Sequence, residues 1–406
     1  MIGGNKFGSV QLAPPDPILG MSVAFKNDPS PDKVDMGVGA YRTNEGKPLI
    51  FQAVHEAERR ILEDPAVNKE YLPIEGYDVF NRLARDLILG ADCPATAEGR
   101  VVTLQTLSGT GSLRIGAESV KAFLNPPAAY VSNPTWGNHN SIFGRAGVPV
   151  KSYRYWKEST RGLDLEGMLA DIGDAPAGSV IVLHACAHNP TGVDPTPAQW
   201  EQIADFLATR DLTVYFDSAY QGFATGDIDG DAYAIRLFIR RGFQCFVSQS
   251  FAKNTGMYGE RIGALHIVCA DSETAERVMS QVKVFVRASY SNPAKHGALV
   301  VAKILSDPAL KESWLNELKD VSKRIKDMRT RLVEELTALS VPGDWSHVTS
   351  QIGMFSFTGL TPAQCENMIN KWHCYMLKNG RISMTGINTS NVAYVAQAIK
   401  DSVENH

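Results

Sequence analysis

Between about residues 100 and 268 the chain alternates short apolar runs with amphipathic stretches. Runs at 101–107, 128–131, 179–187, 212–216, 244–249 and 262–268 read as strands, several of them nearly continuous in apolar residues. Such runs fit strands covered by helices on both faces, as in a parallel sheet. Thr196-Pro-Ala-Gln199 predicts a helix start near Trp200, because threonine, proline and glutamine each meet a need of the first turn. The expectation is an α/β region.

Past residue 310 the pattern changes. Trp314, Leu318, Val321, Ile325, Met328, Leu332 and Leu336 recur at three- and four-residue steps among many charges. One stripe of that length fits a coiled coil or a long helix joining two domains, and the bridging helix is the expected form. Thr361-Pro-Ala-Gln364 opens another helix, and Val392, Val395, Ile399 and Val403 mark a last amphipathic one. A smaller α+β unit is expected there.

Composition narrows the class. With 406 residues, 44% apolar and 21% charged, this is an ordinary globular composition for two or three domains. A net charge of −4 argues against general nucleic-acid binding. The cysteines at 93, 186, 245, 269, 365 and 374 are scattered, as in a reduced intracellular protein. No apolar run is long enough to span a membrane, and no signal core precedes Arg42, so the cytosol is the expected compartment.

Candidate chemistry clusters after the predicted strands. Lys253, in Ser248-Gln-Ser-Phe-Ala-Lys-Asn-Thr-Gly-Met-Tyr-Gly-Glu-Arg261, follows one strand, with Ser250 before it and Arg261 after it. A loop lysine is a potential Schiff-base nucleophile, and a flanking hydroxyl and guanidinium suit a phosphate; most lysines, however, are solvated surface charges. Ser108-Gly-Thr-Gly-Ser-Leu-Arg-Ile-Gly116 leads from a strand into a helix, an arrangement that cradles anions or simply makes a tight turn. Arg114 stands where a dinucleotide fingerprint needs glycine, and no Walker lysine follows, so a monophosphate fits better.

His184-Ala-Cys-Ala-His-Asn-Pro-Thr-Gly192 also ends a strand. His184, Cys186 and His188 would share a face, but one strand does not surround a metal, and no metal is expected. Asn189 is either a ligand-facing amide or a structural turn residue. Asp217 ends another strand, where a buried acid needs a cation: a protonated pyridine, with Tyr220 on a ring oxygen, or an arginine of the protein. Trp136 stacks on a planar ring or fills a gap. Lysine, acid, tyrosine, asparagine, phosphate cradle and arginine together form the set that pyridoxal phosphate requires.

These segments, with Gly37-Val-Gly-Ala-Tyr-Arg42, Glu70-Tyr-Leu-Pro-Ile74, Asn133-Pro-Thr-Trp136, Ser291-Asn-Pro293 and Gly380-Arg-Ile382, carry a resemblance from about residue 11 to 405. The chain resembles the aspartate aminotransferase family of fold-type-I pyridoxal-phosphate enzymes. The resemblance implies a large domain with a mostly parallel seven-stranded sheet and a smaller α+β domain, joined by a long helix. The implied division is an N-terminal arm and part of the small domain at 1–48, a cofactor domain at 49–320 and a small domain at 321–406. It implies that Lys253 holds the cofactor aldehyde and then moves the substrate proton, with Asp217 on the ring nitrogen. Tyr220 and Asn189 would bind the ring oxygen. Trp136 would stack on the ring, with His139 and His184 nearby.

The same resemblance assigns the phosphate to Ser108, Gly109, Thr110, Ser250 and Arg261, and to Tyr71 of a neighbouring subunit in a homodimer. Arg381 would take the substrate α-carboxylate, the Gly39 region would close over it, and Arg287 would reach across the dimer to the side-chain carboxylate. The implied reaction is ping-pong transamination between L-aspartate and 2-oxoglutarate; an aromatic-substrate variant of the family is a near alternative. Residues 288–290 and 294–296 are less typical of the family. Ser250-Phe-Ala-Lys253 also matches an acylating hydrolase spacing, but the companion Ser-Asp-Asn and Lys-Thr-Gly tripeptides are absent. A Rossmann oxidoreductase is disfavoured by the glycine spacing.

Overall fold

The structure is a computed structural model that describes residues 5–14, 16–37 and 39–406. Val38 of the 37–42 motif, and residues 1–4 and 15 of the N-terminal arm, lie outside the described residues. The apolar runs assemble into one seven-stranded sheet: β1 (Val101–Leu107), β2 (Ala129–Asn133), β3 (Val150–Arg154), β4 (Val180–His184), β5 (Thr213–Ser218), β6 (Cys245–Ser250) and β7 (Ile262–Val268), in the order β1-β7-β6-β5-β4-β2-β3. Alternate side chains enter opposite layers. Val180 and Val182 join one core, while Ile181 and Leu183 join the other. This is the double coverage that continuous apolar strands require.

Two features depart from the sequence expectation. Strand β3 was not anticipated: it is an edge strand whose only buried residue is Tyr153, so it carries no apolar run. Strand β7, expected among parallel neighbours, runs antiparallel to both β1 and β6. An apolar run reports burial of both faces; it carries no information on direction.

The pairs β2–β3, β2–β4, β4–β5 and β5–β6 are parallel. Strands β1 to β6 therefore end at one edge of the sheet, where β7 begins. Helix α1 (Ser108–Phe123) leaves β1 there. Gly263 permits this close passage, since a Cβ on it would stand 2.7 Å from the Ser108 carbonyl carbon and 2.5 Å from the Gln249 oxygen.

The bridging stripe is one 31-residue helix, α2 (Pro308–Ala338), capped by Asp307, which accepts the Ala309 and Leu310 N–H groups. Its apolar face is buried within this chain's own core, which removes the coiled-coil alternative. At one end the Trp314 indole donates to the Asn254 carbonyl beside Lys253, at 2.6 Å. Towards the other end α2 packs on the last helix, Val392–Asn405. Between them lie two small sheets: Phe355–Phe357 against Arg381–Ser383, and Val34–Asp35 against Cys374–Tyr375. Among the described residues no helix is long and apolar enough to cross a membrane.

The Thr196 capping box is present as read. Thr196 Oγ1 accepts the Gln199 N–H at 3.3 Å, and Gln199 Oε1 accepts the Thr196 N–H at 2.8 Å. Thr196→Ala should cost about 1 kcal/mol, seen as a lower urea midpoint with an unchanged slope. An unchanged midpoint would assign the helix start to Pro197 and packing instead.

Candidate active site

The loops leaving the sheet edge enclose a cavity of about 190 Å³. Ser108, Gly109 and Thr110 line it from the first turn of α1, with Ser250 and Arg261 beside them. Ser250 Oγ lies 3.0 Å from Ser108 Oγ and accepts the Ala252 N–H at 3.2 Å. That hydroxyl is committed to the α1 start, so the Ser-x-x-Lys spacing does not form a serine–lysine couple. A Cβ on Gly109 would stand 3.1 Å from Ser250 Cβ, so any side chain there would fill the cradle. Helix-start amides, three hydroxyls and a guanidinium make this end a phosphate-sized anion site.

Asp217 lies opposite, at the end of β5 and paired in register with His184 on β4. Burial alone would raise its carboxyl pKa. The hydrogen bond from His139, with the positive charge of Lys253 further off, outweighs this and holds it below the ordinary carboxylate value. His139 Nε2 is 2.9 Å from Asp217 Oδ2, and His139 Nδ1 is 2.9 Å from Thr135 Oγ1. Thr135 Oγ1 is 3.3 Å from His184 Nε2, and His184 Nδ1 accepts the Asn189 N–H at 3.2 Å.

The backbone N–H of Asn189 can only donate, and this orders the whole chain. His184, kept neutral chiefly by burial, therefore carries its hydrogen on Nε2 and donates it to Thr135. Thr135 donates to His139 Nδ1, and His139 Nε2–H donates to Asp217. Every link points its donor at the carboxylate. The same bonds leave no lone pair of His184 for a metal. His188 is likewise committed, to Ser132 and Thr191, each at 2.8 Å.

Lys253 is half-buried, its Nζ 5.4 Å from the Tyr220 ring centroid. Burial first, and the charge of Arg261 second, lower its pKa against the opposing pull of Asp217. Trp136 lines the cavity edge-on to His139, and Asn189 and Tyr220 line the wall between. At the far end stands Arg381, 2% exposed. Its Nη2 donates to the Gly37 carbonyl at 2.5 Å, but its Nε has no partner. Burial lowers its pKa to about 10. A desolvated, incompletely paired guanidinium lining a cavity suits a carboxylate.

Of the residues expected from the sequence, Gly39, Arg381 and all those placed around the cofactor except Tyr71 and His139 line this one cavity, and His139 is buried behind Asp217. Tyr71 is 82% exposed and Arg287 is exposed with its side chain on Ser291; neither lines it. Sequence reading missed Thr135, which lies inside the quoted Asn133-Pro-Thr-Trp136 motif. It also missed Phe355, whose ring centroid is 4.2 Å from the Arg381 guanidinium and which had no motif to mark it.

The chain is similar to known proteins over nearly its whole length. The model of the family described as aminotransferase class I and II matches residues 31–399. The chain is 52% identical to a relative named aspartate aminotransferase 3, chloroplastic, of Arabidopsis thaliana, over 98% of this chain and 88% of that one. A solved aspartate aminotransferase from Saccharomyces cerevisiae cytoplasm superposes with a TM-score of 0.96 at 44% identity, covering 98% of each chain. An aromatic-amino-acid aminotransferase from Burkholderia pseudomallei, solved covalently bound to pyridoxal phosphate, gives a TM-score of 0.96 at 42% identity over 98% of this chain and 100% of that one.

The lowered Lys253 pKa has a stability consequence. A lysine whose folded pKa lies below its ordinary 10.5 disfavours folding at neutral pH, because the unfolded chain holds the proton more tightly. Without added ligand, Lys253→Met should therefore melt higher than wild type near pH 7. The gap should close as pH rises past 10.5, above which the amine is neutral in both states. A variant that melts lower at pH 7 contradicts this.

Proposed function

The chain belongs to the class I and II aminotransferases, and on that premise we propose that it is a pyridoxal-phosphate-dependent aspartate aminotransferase. The observation that carries the reading is one cavity with an anion cradle at one end, the polarised Asp217 and the depressed amine of Lys253 in its middle, and the unspent fork of Arg381 at the other. L-aspartate enters and leaves as oxaloacetate, and 2-oxoglutarate then enters and leaves as L-glutamate.

Ser108, Gly109, Thr110, Ser250 and Arg261 would hold the cofactor phosphate, and the donor set and the side-chain-free Gly109 fit that group. Bound there, pyridoxal phosphate would supply an aldehyde for an amine and a protonated ring that draws electrons from the substrate Cα. Asp217 would keep the proton on the ring nitrogen, with His139 donating to the carboxylate so that it stays charged. Tyr220 and Asn189 would donate to the ring oxygen, and Trp136 would cover the ring face. Lys253 Nζ would hold the cofactor aldehyde and would be the base within the cavity for the Cα proton. Its lowered pKa leaves more of the free amine at neutral pH. Arg381 binds the α-carboxylate, and the Gly39 segment closes over it and limits water.

The proposal extends to a homodimer in which Tyr71 reaches the phosphate and Arg287 the side-chain carboxylate of the neighbouring subunit. Their exposure outside the cavity of their own chain supports an assignment across subunits. It also divides the chain at 1–48, 49–320 and 321–406, with α2 crossing the last boundary, and places the protein in the cytosol. All six cysteines are free and buried, in keeping with a reducing compartment.

Steady-state rates over a panel of amino donors test the reading. Aspartate should exceed phenylalanine in kcat/KM; the reverse order would make the chain an aromatic aminotransferase. Arg381→Ala should lower kcat/KM for both donors by about 30-fold or more, the equivalent of about 2 kcal/mol for an unpaired buried carboxylate. Arg287→Ala should lower it for aspartate and spare phenylalanine.

A further inference from the structure

Arg329 is the other buried arginine of the C-terminal half, and it serves no ligand. It projects from α2, is 2% exposed, and its guanidinium meets only backbone carbonyls: Val348 at 2.9 Å, Gly353 at 2.9 Å and Phe355 at 2.5 Å. Its Nε has no partner. Burial alone pulls its pKa down to about 9, so the charge is held at a cost that no carboxylate offsets. A buried cation kept for three carbonyls fixes the course of the backbone that carries them.

That backbone leads to the substrate end of the cavity. The Ile352 N–H donates to the Gly192 carbonyl at 2.7 Å, tying it to the loop of Asn189. Gly192 is glycine of necessity, because a Cβ there would stand 2.6 Å from the Phe355 oxygen. The Phe355 ring lies under the Arg381 guanidinium, centroid at 4.2 Å, and edge-on to Tyr220 at 6.3 Å. A Cβ on Gly39 would stand 3.2 Å from its tip. Phe355 therefore touches the carboxylate arginine, the closing segment and the tyrosine of the cofactor wall.

We propose that Arg329 is a positioning residue for carboxylate recognition: by gathering the carbonyls of Val348, Gly353 and Phe355 it sets the Phe355 ring as the platform on which Arg381 presents its free edge. This rests on the reading of Arg381 as the α-carboxylate clamp. The effect runs through ground-state binding. Arg329 makes no hydrogen bond to Lys253 or Asp217 and does not line the cavity, so the proton transfer at Cα and the cofactor end of the cavity do not depend on it.

The test uses the cofactor-loaded full chain as wild type, Arg329→Met, Arg329→Lys and Phe355→Leu. Calorimetry measures binding of succinate, a dicarboxylate without an amine, and steady-state kinetics separate KM from kcat. Arg329→Met should weaken succinate and raise KM for aspartate and 2-oxoglutarate about tenfold, with kcat within about threefold of wild type and the visible cofactor band unmoved. Arg329→Lys should recover part of the loss, since an ammonium reaches some of the same carbonyls. Phe355→Leu, which keeps the carbonyl and removes the ring, should reproduce the KM rise, and it decides the matter if Arg329→Met does not fold. Wild-type KM in Arg329→Met or in Phe355→Leu, or a fall in kcat with KM unchanged, overturns the proposal. A wild type that turns over donors but binds no succinate overturns the clamp reading and this inference together.

Discussion

A carboxylate buried at the end of β5 has to stay charged, and much of the surrounding structure follows from that requirement. Desolvation pushes Asp217 towards its neutral form, and only donors aimed at it reverse the balance. The chain from the Asn189 amide through His184, Thr135 and His139 provides them in one direction only. Its members come from the segments that end β2 and β4, and they meet Asp217 because β2, β4 and β5 are parallel neighbours with their C-terminal ends at one edge. The sheet topology is therefore a condition for the electrostatics of the site.

Three further charges are held in or beside the same cavity against desolvation, and each is left incompletely paired. Lys253 has a lowered pKa, Arg381 an unspent Nε, and Arg329 only carbonyls. Such groups reduce the stability of the ligand-free protein. The retention of Lys253 and Arg381 makes sense if binding completes them: an aldehyde takes the amine and a carboxylate takes the Arg381 guanidinium, whereas Arg329 holds backbone in place. The long helix α2 links these ends, with Trp314 on the Asn254 carbonyl beside Lys253 and Arg329 on the Phe355 carbonyl beneath Arg381.

How far the sequence revealed this depended on the kind of signal. Continuous apolar runs located six of the seven strands, and the two Thr-Pro-Ala-Gln boxes located helix starts, because these signals are local. The edge strand β3 buries only Tyr153 and so left no run to read. The reversed direction of β7 was invisible for a different reason, since burial of both faces is the same for either orientation. Most cavity residues were legible as motifs after strands, with the resemblance to a known family joining them into one site. Thr135, Phe355 and Arg329 were not, because their roles lie in contacts across dozens of residues of chain: Thr135 to His184, Phe355 to Arg381, Arg329 to three carbonyls. Tyr71 and Arg287 draw their proposed meaning from a second subunit.

The central claim is that Lys253, which shares one cavity with Asp217 and the anion cradle, is the covalent anchor. Reducing the pyridoxal-phosphate-loaded protein with borohydride and locating the pyridoxyl label by peptide mass spectrometry tests it most directly. The account predicts one label per chain, on Lys253. A label on another lysine, or none on a protein that has taken up the cofactor, would contradict it.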